Sequence, residues 1–289
     1  MISIPRWSAG EGASISIKAL EPTPYSLRFA AASGRGSPLA FGVSKIETQP
    51  EGHVSCKHYS AFVRCSMKLQ SLHLADYLKC TPIIDWETPA IIEQTQAITR
   101  SRTHDTEKAR ALFEWVRDAI PHAWDIRTDV VTCAASEVLQ QRTGLCYAKS
   151  HLLAAMLRST GIPAGFCYQV FRRHPPYHGL ALHGLNGLYL PSLARWVRVD
   201  ARGNTGTIDA QFSLTEEKLA FPLDPHQGEF LDETIYTDPA PEVLAVLQSF
   251  TSLHALWPYL PAPFAEDVGA ISAKSEAGSV FCAAPGQQS

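Results

Sequence analysis

Residues 143–163 read TGLCYAKSHLLAAMLRSTGIP, and the fold follows from how this stretch begins and ends. After Thr143-Gly144-Leu145 comes an unbroken run of good helix formers, with Tyr147, Leu153, Ala154 and Leu157 on a shared face. Gly161, with Pro163 two residues on, is a helix stop. Cys146 therefore sits in the first turn of a long and largely apolar helix.

Upstream, the pattern remains helical. Thr88-Pro89 is a cap followed by a proline at the first helical position, and Ile91, Ile92, Thr95 and Ile98 follow at helical spacing. Asp105 or Thr106 is placed to cap a second helix. There Ala109, Leu112, Phe113 and Val116 form one stripe, and Glu107, Lys108, Arg110 and Glu114 take the other face. A short helix over 132–140 precedes the cysteine.

Downstream, the period changes from 3.6 to 2. Segments 164–171 (AGFCYQVF), 183–190 (HGLNGLYL) and 195–202 (RWVRVDAR) read as strands. The short link 191–194 joins the last two as an antiparallel hairpin. A helix over 241–254 closes the pattern. The expectation is an α+β fold, with N-terminal helices and the Cys146 helix packed on an antiparallel β-sheet. One domain is expected over 56–260, between a disordered extension at 1–55 and a disordered tail at 261–289, both rich in Ser, Gly, Ala and Pro.

The hairpin brings chemistry together. A turn centred on 191–194 sets residues opposite when their numbers sum to about 385, so His183 and Asp200 become diagonal neighbours at the end away from the turn. A carboxylate there fixes the tautomer of the imidazole and supports its charged form. A thiol at a helix N-terminus meets free N–H groups and the positive end of the backbone dipole, both of which favour thiolate. The same free N–H groups suit an oxyanion. Cys146, His183 and Asp200 are thus candidates for nucleophile, base and orienter. Cys133 and Cys167 read as small buried hydrophobes.

Bulk properties exclude several classes. The chain of 289 residues is 45% hydrophobic and 18% charged with a formal net charge of -3, and it has no basic stripe with interleaved aromatics for nucleic acid. No apolar run approaches the roughly 18–20 residues that span a bilayer. The seven cysteines form no C-x-x-C pair, so reduced thiols and a cytoplasmic location are expected. His174, His178 and His183 have a spacing that needs a helix to bind zinc, and Pro175-Pro176 forbids one, so no metal site is assigned. No cofactor and no membrane partner are expected.

GLCYAKSHLLAAMLRSTGIPAGFCYQVF, followed by LHGLNGLYL and RWVRVDARGN, resembles the bacterial transglutaminase-like superfamily, which is related to papain. The resemblance spans roughly 75–255 and rests on Gly144 and Cys146, Gly161-Ile162-Pro163, His183, and Trp196 with Asp200. Where the family usually has His-Ala-Trp, this chain has His183-Gly184-Leu185-Asn186, a change expected to alter the cleft rim. The resemblance implies Cys146, His183 and Asp200 as a triad acting through an acyl-thioester on a peptide, protein or small amide. Hydrolysis by a protease or amidase is favoured over transamidation. It also implies a second oxyanion donor, for which Gln140, Gln141 and Trp124 are candidates. Trp196, Asn186, Arg172 and Arg198 are candidates for the substrate cleft, the arginines for an anionic group. The alternatives are an inactive binding module with the same fold and a metallohydrolase.

Overall fold

The structure is a computed structural model, and it describes residues 67–173, 176–206 and 208–262. The expectations for 1–55, for most of 261–289 and for His174 lie outside these residues.

Four helices lead into the sheet: α1 (Pro89–Thr99), α2 (Asp105–Ala119), α3 (Ala135–Gln141) and α4 (Cys146–Ser159). α4 is the centre of the fold. Every residue from Cys146 to Arg158 is buried, so the helix has no solvent face and its polar side chains need internal partners. Ser150 donates to the Cys146 carbonyl at 2.9 Å, and a His151 ring nitrogen meets the Cys133 carbonyl at 2.7 Å. Arg158 donates to the carbonyls of Lys79, Ala164 and Thr237. At the helix end, Gly161 takes φ +78°. The Gly161 amide bonds the Arg158 carbonyl and the Ile162 amide bonds that of Leu157, the reciprocal closure that favours glycine there.

The sheet runs β4-β3-β2-β5, formed by β2 (Ala164–Arg172), β3 (Leu180–Leu190), β4 (Arg195–Val199) and β5 (Phe230–Leu231), and every neighbouring pair is antiparallel. β1 (Lys68–Leu69) and β6 (Thr234–Ile235) make a separate short parallel pair. The α4 side of the sheet joins the main core, while Tyr77, Cys167, Leu185 and Ile235 form a second cluster. Both faces are thus covered, so β2 and β3 read as almost continuous apolar runs.

Several boundaries differ from the sequence pattern. α3 starts at Ala135, three residues after the expected Thr132, because the Glu137 carboxylate accepts from the Cys133 and Ala134 amides and holds them outside the helix. His104 is the N-cap of α2. Asp105 instead accepts from the Ser192 amide at 2.8 Å and ties the hairpin turn to this helix. The closing helix is two, α5 (Pro241–Ser249) and α6 (Leu253–Leu256), because Phe250 is extended. Pro261 is buried and its carbonyl accepts the Leu182 amide at 2.8 Å. Among the described residues no helix is long and apolar enough to cross a membrane.

Candidate active site

The β3–β4 register sets Asn186 opposite Val199 and Leu190 opposite Arg195, the pairing that the four-residue link requires. β4 ends at Val199, and Asp200 continues its line toward His183. His183 lies three residues into β3 rather than at its start, since β3 begins at Leu180 and pairs with β2 from there.

His183 Nε2 lies 2.7 Å from Asp200 Oδ2, with the residues 2% and 0% exposed. The carboxylate also accepts from the Ala220 amide at 2.9 Å on Oδ2 and from the Arg202 amide at 3.0 Å on Oδ1. The Cys146 side chain, 8% exposed, hydrogen-bonds the same imidazole.

The electrostatics match this geometry. Burial alone would depress His183. The charges of Asp200 and Cys146, with hydrogen bonds to both, outweigh it and push the imidazole up to about 10. Burial would likewise raise the Asp200 carboxyl, but the His183 charge and the three N–H donors hold it below the usual carboxylate range. Cys133 and Cys167, by contrast, are pushed up to about 11 and about 12 by burial. The arrangement can hold a proton on the imidazole beside the Cys146 sulfur in a site that largely excludes water.

Residues 92–201 match the family model of the transglutaminase-like superfamily. They form a transglutaminase-like domain. The matched segment contains Cys146, His183 and Asp200. No curated protein matches the chain in sequence. Among solved structures, the chain is similar to a candidate cysteine protease from Cytophaga hutchinsonii, with 18% identity and a TM-score of 0.38 over 45% of this chain and 42% of that one. It is also similar to a candidate protease from Parabacteroides distasonis, with 13% identity and a TM-score of 0.28 over 49% and 31%. The similarity thus covers less than half of each of those proteins.

Around the transglutaminase-like core, the other candidates fall elsewhere. Gln140 and Gln141 are exposed at the end of α3 and face a cavity lined by Asp129, Glu137 and Thr251, which includes none of the three central residues. Trp124 is 39% exposed and stacked on Trp257 at 3.6 Å. Asn186 is fully buried under α4, donating to the Ser150 and Gly165 carbonyls. It stands three residues from His183, hence on the opposite face of the strand. Trp196 packs edge-on against Tyr77 near the hairpin turn, at the wrong end of the sheet. Arg172 donates to the Gln227 carbonyl, and Arg198, 2% exposed, pairs with Glu217 and the Glu233 carbonyl. These contacts bind the 217–233 segment to the sheet.

Gly184 is not a rim residue. A Cβ there would lie 2.9 Å from Tyr147 Cδ1 and 3.2 Å from its Cα, so glycine lets β3 press against the first turn of α4. The Tyr147 hydroxyl then donates to the Leu182 carbonyl.

Phe221 and Lys149 carried no functional reading in the sequence. The Phe221 ring stands edge-on to His183 at 4.9 Å, and Gln169 Nε2 holds the Phe221 carbonyl at 3.0 Å. A lone glutamine within the apolar FCYQVF strand was the available signal. Lys149, fully buried, donates to the carbonyls of Arg117 and Ile120. Burial and the neighbouring Arg202 bring its ammonium down to about 7. Arg202 forms a bidentate pair with Asp125 at 2.7 and 2.8 Å.

Proposed function

We propose that this transglutaminase-like domain is a cysteine-nucleophile acyl-transfer enzyme that cleaves peptide or amide bonds by hydrolysis. The observation that carries the reading is one imidazole held between the Asp200 carboxylate and the Cys146 thiol. His183 takes the thiol proton, and the sulfur attacks the substrate carbonyl carbon while the C=O π pair moves onto oxygen. As the tetrahedral intermediate collapses, the C–N bond breaks and His183 returns its proton to the departing amine, leaving a thioester on Cys146. His183 then deprotonates a water that attacks the thioester, which releases the acid and restores the thiol. Asp200 stays ionised throughout and fixes the ring. The free amide of Cys146 at the start of α4 supports the developing oxyanion. The substrate is a peptide, protein or small amide. The need for a reduced thiol fits a cytoplasmic setting.

Cys80 supplies an internal control, since it is exposed whereas Cys146 is almost fully buried. Limiting iodoacetamide at pH 6–7, with the modified residue located by mass spectrometry, should label Cys146 ahead of Cys80. Accessibility alone gives the reverse order, and that result would remove the nucleophile. Incubation of peptides with and without a primary alkylamine then separates the acceptors. Hydrolysis yields free carboxylates in both cases, and amine-coupled products would replace it with transamidation.

A further inference from the structure

Acyl transfer through Cys146 needs a second donor besides its own backbone amide, and neither Gln140 nor Gln141 faces the site. The chain does bring another polar side chain there. His122 pairs with Gly144 as an isolated parallel bridge, two residues before the nucleophile. The Ala123 amide bonds the Gly144 carbonyl at 3.0 Å, and the Thr143 hydroxyl bonds the Pro121 carbonyl at 3.0 Å. Residues 121–123 are thereby clamped alongside the start of α4.

The imidazole of His122 is 6% exposed, and its Nδ1 is buried without a hydrogen-bond partner among the described residues. The nearest carboxylate oxygen, Asp125 Oδ1, is 4.0 Å away, beyond hydrogen-bond length, and both oxygens of Asp125 are occupied by Arg202. A buried polar atom left unpaired costs about 1–3 kcal/mol, a cost that a hydrogen bond to an arriving group would relieve. Burial, reinforced by the charges of Arg202, Lys149 and His183, holds the ring well below the usual imidazole range. It is therefore neutral, with one N–H to give and no charge to compete with the imidazolium of His183.

We infer that His122 is the second oxyanion donor, its N–H joining the Cys146 amide on the substrate carbonyl oxygen. This rests on Cys146 being the nucleophile. In acylation the sulfur lone pair forms the C–S bond, the C=O π pair moves onto oxygen, and both donors shorten onto that oxygen. The pair then returns to re-form C=O as the leaving group departs. Trp124 is the competing donor, but its indole is stacked on Trp257 and open to water, where a hydrogen bond adds little net stabilisation.

The test uses two probes of the same sulfur in the full chain. 4-Nitrophenyl acetate acylates Cys146 through a tetrahedral oxyanion and releases 4-nitrophenolate. Iodoacetamide alkylates it by displacement of iodide, with no oxyanion formed at a carbonyl. His122→Phe should slow the acylation burst by about 10²–10³-fold and leave alkylation unchanged. His122→Asn or His122→Gln, which restore an N–H near one ring nitrogen or the other, should recover part of the loss. Trp124→Phe should leave both rates unchanged. If His122→Phe fails to fold, His122→Ala, which adds no bulk, takes its place. An unaltered burst in the His122 variants overturns the assignment, as does a parallel fall in both probes, which marks a structural role. A burst lost only in Trp124→Phe transfers the donor to Trp124. A wild-type chain that alkylates but never acylates defeats the acyl-transfer reading itself, and the donor with it.

Discussion

Asp200→Asn is the substitution that tests the electrostatic design of the site. Three N–H groups converge on this carboxylate, from His183, Ala220 and Arg202. An asparagine has one accepting oxygen to meet them, so whichever way the amide is turned, at least one N–H faces an NH2 group. The larger effect is loss of charge. Holding a buried imidazole near 10 instead of 6.5 reflects a net preference for the charged ring on the order of 5 kcal/mol. The Asp200 charge is the strongest influence opposing the burial that would otherwise depress it. Without the carboxylate, burial wins and His183 stays neutral near pH 7.

Two measurements follow from this. In wild type, His183 is charged beside the Cys146 sulfur across the neutral range, so iodoacetamide should label Cys146 ahead of exposed Cys80 at pH 6–7. Asp200→Asn should lose that preference, and turnover should fall by a factor on the order of 10⁴ as the ring loses its tautomer and orientation. Stability gives an independent check. The folded value of His183 lies above its unfolded one, so its contribution is fully present below about pH 6.5 and is lost as pH rises toward about 10. Denaturant midpoints should therefore fall for wild type between pH 7 and 10 more steeply than for Asp200→Asn. Superimposable alkylation profiles for the two proteins would refute the reasoning.

Other consequences are shorter to state. His183→Ala strands the fully buried Asp200 with amide donors only, and should cost about 3–5 kcal/mol by denaturant titration. The double variant with Asp200→Asn should be more stable than His183→Ala alone. Gly184→Ala forces a methyl against Tyr147 and should destabilise by about 1–3 kcal/mol. It should also lower the 4-nitrophenyl acetate burst, because β3 carries His183 away from the start of α4.

The elements that carry the three central residues were legible because each depends on local rules. The helix start at Cys146 follows from helix formers bounded by Gly161, and the hairpin register follows from the length of its link, which places 186 opposite 199. Strand alternation was legible too, and applied to position 186 it already puts Asn186 on the face away from His183. Residues whose role is set by distant chain were not legible. Ala220 and Phe221 reach the site across a loop, Gln140 and Gln141 turn toward another cavity because of where α3 starts, and the partners of Arg198 come from 217 and 233. His122 was hidden by its neighbour. Trp124 drew attention as an aromatic in PHAWD, whereas the bridge to Gly144 that makes His122 relevant is a tertiary contact no spacing encodes.

The site's geometry is set by packing between α4 and β3 rather than by loops. Gly184 lies against the Cα of Tyr147, the Tyr147 hydroxyl binds the Leu182 carbonyl, and Asn186 Nδ2 binds the Ser150 carbonyl. Each contact joins a residue within four positions of Cys146 to one within three of His183. A slide of the strand along the helix breaks all three together, so the distance between sulfur and imidazole is fixed by the same interactions that close the core. Asp105 secures the hairpin from its other end by binding Ser192, and that constraint runs through α2. Cys146 and His183 are thus held on rigid elements, an arrangement suited to the roles of nucleophile and base proposed for them.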